Sequence, residues 1–163
     1  MAVAQGFLPA FTLHGGPPAI QHYAVKASQT IKRGYPLRLA TTSPGSLATA
    51  LAAATGIFGI AAEPITTTAT EKTTRVAVWL ADPQTIFEGR CTGTGRPEKW
   101  VGKLCDFVLN TSVNYRVSAT AGSYDQLKIV GIHPDDLTGT GSDKRIRFTV
   151  AIAQSQIYSK EVA

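Results

Sequence analysis

From Arg75 to Leu80 the chain reads Arg-Val-Ala-Val-Trp-Leu, so that Val76, Val78 and Leu80 recur at every second position. Only an extended strand places such a set on one face, because successive side chains point to opposite sides of the pleat. The same period returns in Leu127 to Ile132 and in Arg145 to Ile152, with charged residues on one side and Val, Ile and Phe on the other. These stretches commit the chain to an all-β fold, a small β-barrel or sandwich, with no helix longer than about three turns.

The segment from Gly34 to Leu80 is the centre of that fold. Gly34-Tyr35-Pro36-Leu37-Arg38-Leu39, Gly56-Ile57-Phe58-Gly59-Ile60-Ala61-Ala62 and Thr74 to Leu80 are short apolar runs separated by Pro, Gly, Ser and Thr, the punctuation of barrels and sandwiches. Gly56 and Gly59 flank Ile57 and Phe58, where a missing Cβ lets a neighbouring strand come close. Leu47 to Ala54 suits a short helical turn as well as a strand. Further strands are expected at Thr85 to Gly89, Trp100 to Leu109 and Tyr115 to Val117, making about eight at regular spacing. Asp82-Pro83, Asn110 to Asn114, Ala121 to Asp125 and His133 to Asp143 are expected turns. Thr66 to Thr74 is expected as a hairpin loop or an exposed edge strand, and Gly93 to Glu98 as a loop.

Of the 163 residues, 44% are hydrophobic and 17% charged. A chain of this size makes one domain that buries roughly 70% of its unfolded surface. Neither a secretory signal nor a membrane-spanning run of ~20 apolar residues stands out, so a soluble, unexported protein is the expectation. The organisation expected is an N-terminal arm over 1–30, a barrel or sandwich over 31–158 and a polar tail over 159–163.

The arm carries the candidate binding residues. Phe7, Leu8, Phe11 and Leu13 are apolar without a helical or strict strand period, and Gly15-Gly16-Pro17-Pro18 cuts them off from the rest of the chain. Exposing them to water is costly, so the arm either packs along the domain or, the favoured expectation, docks on another chain. Lys26, Lys32 and Arg33 come next, and no acidic residue precedes Glu63. That basic stretch suits a negatively charged partner, or it merely keeps the protein soluble. The aromatic residues are not interleaved with it and no recognition motif occurs, so direct nucleic-acid binding is not expected.

Chemistry is harder to find. Cys91 and Cys105 can meet on adjacent strands as a disulfide, or stay free in a reducing compartment. No His lies at metal-ligand spacing from them, so neither a metal nor a catalytic site is expected. His133-Pro134-Asp135-Asp136 reads as a turn, with Pro fixing φ and Asp capping amides. Gly93-Thr94-Gly95-Arg96 lacks the Gly-Lys-Ser/Thr ending of a phosphate loop, and Asn110-Thr111-Ser112 is a polar turn before it is a glycosylation acceptor. The chain is therefore expected to be no enzyme and to hold no cofactor.

Taken in order, Gly-Tyr-Pro-Leu-Arg-Leu (34–39), Gly-Ile-Phe-Gly-Ile-Ala-Ala-Glu (56–63), Val-Ala-Val-Trp-Leu-Ala-Asp-Pro (76–83), Trp-Val-Gly-Lys-Leu-Cys-Asp (100–106) and Arg-Phe-Thr-Val (147–150) resemble the head decoration, or cement, proteins of tailed bacteriophages. The resemblance spans Ile31 to Gln154. It implies a homotrimeric small β-barrel made in the host cytoplasm and bound on the outer surface of the virion. There it clamps neighbouring major capsid protein subunits, with no membrane or nucleic-acid partner. An alternative is a glycan-binding β-sandwich of a head or tail fibre, stacking sugars on Trp79, Trp100, Tyr115 or Tyr124.

Overall fold

The structure, a computed structural model, describes residues 6–43, 45–50, 55–70, 73–92, 97–110, 114–118, 124–137, 144–151 and 155–157. Among these it is almost entirely β, with two short 3-10 turns and no α-helix. The strands are β1 (Leu8–Thr12), β2 (Ile20–Val25), β3 (Thr30–Ile31), β4 (Pro36–Leu39), β5 (Ser46–Thr49), β6 (Gly59–Ala61) and β7 (Ile65–Thr66). After them come β8 (Arg75–Leu80), β9 (Thr85–Thr92), β10 (Leu104–Cys105), β11 (Phe107–Asn110), β12 (Asn114–Ser118), β13 (Leu127–Ile132) and β14 (Arg145–Val150).

The first half curls into a barrel whose strand order, β2-β5-β4-β6-β8, closes on itself. Val25, Leu37, Leu47, Val76 and Val78 are almost wholly buried, as the alternation requires. Leu47, half expected in a helical turn, lies on β5 opposite Leu39; residues 51–54 lie outside the described residues. Gly59 behaves as expected of it, since a Cβ there would run into Val78 Cγ1 and come within 2.5 Å of the Trp79 carbonyl oxygen. β8 departs from the expected one-sided burial. Its second face is covered too, leaving Ala77 and Trp79 only 9% and 6% exposed.

The second half is a sheet of order β10-β13-β14-β9-β12-β11, with β1 added to β9. The expected Asp82 turn is present, with the Thr85 N–H donating to the Asp82 carbonyl at 2.9 Å. β9 runs through Gly89 to Thr92 rather than stopping at the glycine. The single strand expected over Trp100 to Leu109 is instead a 3-10 turn at Pro97–Trp100 followed by β10 and β11. The break falls at Asp106, whose buried carboxylate accepts from the Tyr124 N–H at 3.2 Å. Residues 93–96, 111–113, 119–123 and 158–163, which hold most of the expected loops and the polar tail, lie outside the described residues.

A separate arm over 1–30 is not what forms. β1 pairs antiparallel with β9, β2 supplies a full barrel strand against β8 and β5, and Phe7 is completely buried. One hydrophobic core runs from Phe7 and Val25 to Val150, so nothing divides the chain at residue 30. Aromatic rings seal the seam between barrel and sheet. Phe7 packs edge-on against Phe148 at 4.9 Å, and Tyr35 meets Tyr115 at 4.8 Å. The Tyr115 hydroxyl donates to the Ala50 carbonyl at 2.9 Å.

Candidate functional site

The seven residues expected to bind a partner part into three groups. Phe7 belongs to the core, and its N–H donates to the Gly34 carbonyl at 2.8 Å. Its pocket exists because Gly89 has no side chain: a Cβ there would stand 2.5 Å from Phe7 Cδ1. Leu8 is half-buried against the same core. Phe7, fully buried, has no surface to offer a partner, which corrects its expected docking role, and burial of its apolar area is the reason; Leu8 is given over to the core only in part.

Phe11 and Leu13 stay 41% and 63% exposed. Phe11 lies under the Arg147 guanidinium, 5.3 Å from its ring centroid, a cation–π contact across β1 and β14. Leu13 is held beside the turn between β8 and β9, its N–H donating to the Gln84 carbonyl at 2.9 Å. Ile20, 51% exposed, starts β2 on the other side of that turn, where the Leu80 N–H donates to the Ala19 carbonyl. Sequence reasoning passes over Ile20, although Ile20, His22 and Ala24 already alternate across β2.

The basic residues form the third group. Lys26 and Lys32 are half-buried and Arg33 is exposed, its guanidinium 5.4 Å from the Trp79 ring centroid. Trp79 belongs to the hydrophobic core and is 6% exposed, and Tyr115 is only 3% exposed. Neither presents an open ring face to a sugar, whereas Trp100 is half-buried, one side packed against the core. Tyr124 is 38% exposed.

The densest polar cluster surrounds Arg145. Its Nε reaches Asp136 Oδ2 at 2.8 Å, and a terminal nitrogen reaches Asp135 Oδ2 at 3.1 Å. His133 caps the 3-10 turn Pro134–Asp136, with Nδ1 accepting from the Asp135 N–H at 3.2 Å. Burial pushes the Asp136 carboxyl up, but the hydrogen bonds and charge of Arg145 outweigh it and hold the group below its ordinary value. Arg145 is pushed up in turn, chiefly by its hydrogen bond to Asp136. Glu88 links this cluster to Arg147 at 3.5 Å. Its chemistry is that of a pinned turn: His133 is committed to a backbone amide and to Arg145 and carboxylate neighbours, with no hydroxyl or thiol hydrogen-bonded to it among the described residues.

Cys91 and Cys105 are both buried, on β9 and β10, and are not joined to each other in a disulfide. Burial, followed by the charges of Asp106 and Asp125, pushes the Cys105 thiol up to about 12, the opposite of what a nucleophile needs. Among the described residues no group of three or more His, Cys, Asp and Glu stands ready for a metal, and no helix is long and apolar enough to cross a membrane. No family model, curated protein or solved structure matches the chain.

Proposed function

We propose that the chain is a structural virion protein that attaches, as a homotrimer, to the outside of a tailed-phage head and stabilises the lattice by bridging neighbouring major capsid subunits. The observation that carries this reading is the N-terminal stretch. It is anchored through Phe7 and β1, yet presents Phe11, Leu13 and Ile20 to solvent in a region with no acidic residue before Glu63. A rigid β scaffold holding apolar side chains on a basic background suits attachment to a fixed protein surface. The resemblance of the segments between Ile31 and Gln154 to decoration proteins supports the same reading.

The mechanism is mass action. A protein that binds the assembled lattice and not its separated subunits raises the stability of the lattice by its binding free energy. Each exposed apolar side chain fully buried in the contact contributes roughly 1.5–3 kcal/mol. Three copies joined as a trimer convert the second and third contacts into intramolecular events. The test is composition: purified heads carry the protein in a fixed ratio to coat protein, and heads stripped of it lose their contents at a lower temperature. Heads that carry it in variable trace amounts, with unchanged heat resistance, overturn the reading.

A further inference from the structure

Residues 1–80 contain six Lys and Arg against two Asp and Glu, whereas the rest of the chain has ten against nine; four of the five net positive charges thus fall in the first half. Folding gathers this skew on the barrel. Lys26, Lys32, Arg33, Arg38 and Arg75 make no ion pair with any described carboxylate. The one described carboxylate of the barrel, Glu63, accepts from the Ala77 N–H at 2.8 Å. In the second sheet, Arg145 and Arg147 are matched instead by Asp135, Asp136 and Glu88.

Part of this charge lies on one strip. β2 and β8 pair with Ile20 opposite Trp79, His22 opposite Ala77 and Ala24 opposite Arg75. Because Val76 and Val78 fill the interior, these pairs share the opposite face, on which Ala77 and Trp79 are covered while Ile20, His22 and Arg75 stay exposed. Arg75 and neighbouring Lys26 mark one end of the strip. Arg33 over Trp79, with exposed Ile20, marks the other, about 13 Å away along β8. Exposed His22 lies between them.

We propose that this strip is the docking face of the protein and that its occupant is an acidic protein surface: a ring of Asp and Glu around an apolar recess on the capsid subunit. The inference rests on the reading of the chain as a decoration protein. A protein surface fits better than a nucleic acid for two reasons. Ile20 adds aliphatic area that a sugar-phosphate backbone does not cover, and Trp79, closed off beneath Arg33, offers no ring on which a base can stack.

The experiment is co-sedimentation of full-length protein with purified heads lacking it, at low and high salt. The wild type is compared with K26E/R75E, whose changes lie away from Trp79, with R33E, and with K103E/K128E as a control of equal charge change on the second sheet. Head binding weakened at least roughly tenfold at low salt by K26E/R75E and by R33E, but not by K103E/K128E, with the gap closing as salt rises, is the expected result. Equal losses in all three, or none, overturn the docking face while leaving decoration itself standing. Wild-type protein that fails to bind heads removes the decoration reading and this inference with it. Tighter binding to duplex DNA than to heads, lost in K26E/R75E, overturns the acidic-protein occupant in favour of a nucleic acid.

Discussion

Phe7 occupies the space that a side chain on Gly89 would need: an added Cβ at Gly89 would sit 2.5 Å from Phe7 Cδ1 and 3.3 Å from Phe148 Cε1. This one relationship ties the start of the chain to the middle of the second sheet. It decides that the N-terminal stretch is part of the domain. Replacing Gly89 with Ala is expected to lower stability by about 1–3 kcal/mol through overpacking. Phe7→Ala is expected to lower it by about 3–5 kcal/mol through the cavity left behind. Because both act on the same space, F7A/G89A should lose less than the sum of the two, measured by urea denaturation.

Deleting residues 1–18 tests the same point at the level of the domain. The deletion removes Phe7 and all of β1, exposing the edge of β9. The truncated protein is expected to unfold at clearly lower denaturant concentration than the full chain. A truncated protein as stable as the full chain would restore the picture of a detachable arm.

Leu13→Ser and Ile20→Ser probe binding without touching the core, since both side chains are already more than half exposed. Each should shift stability by no more than about 0.5 kcal/mol. Attachment to heads should nevertheless weaken, read as a larger unbound fraction after sedimentation.

Alkaline conditions should loosen the seam between barrel and sheet. Burial, with a smaller contribution from Tyr35, pushes the Tyr115 phenol from 10.0 up to about 12, and burial raises Tyr35 as well. The unfolded chain therefore ionises first, so this contribution is intact below pH 10 and is lost as pH climbs toward the folded value. Tyr115→Phe should flatten that part of the stability profile. It should also cost about 0.5–1.5 kcal/mol at neutral pH by removing the hydrogen bond to Ala50.

Acid acts instead on the 133–136 turn. Arg145 holds the Asp136 carboxyl below its ordinary 3.8, so the tether of the 133–136 turn is complete above that value and is lost as pH falls through the lower folded value. Asp136→Asn should remove this part of the acid sensitivity, followed by amide exchange of Arg145, whose N–H donates to Asp136 Oδ2 at 3.0 Å.

The strands that announce themselves are those with one wet face. In β13, Lys128 and Val130 point outward while Leu127 and Ile129 are buried, and the alternation shows through directly. β1 hides because its burial depends on a gap at Gly89, far along the chain, which no local period reveals. Trp79 misleads for a related reason. Alternation places it on the outer face of the barrel, but only the fold brings Arg33 over it. Gly89 itself reads as a strand end, because a glycine inside a strand and one that stops it look alike until the opposing ring is known. The polar cluster is half legible: His133 to Asp136 reads as a turn, while its partner Arg145 arrives from β14.

The aromatic seam also sets a schedule for synthesis. Phe7 precedes the other core residues in the chain, yet Phe148 is made about 140 residues later, which at ~5–20 residues per second is roughly 7–28 s. The Leu39 N–H waits similarly for the side chain of Gln156, 117 residues downstream. Until β9 is made β1 has no partner strand, and until β14 is made Phe7 lacks the ring of Phe148. The barrel strands are all made within residues 20–80, but the seam that joins them to the second sheet is completed only once β14 and Gln156 have been synthesised, and until then its apolar surface is open to aggregation.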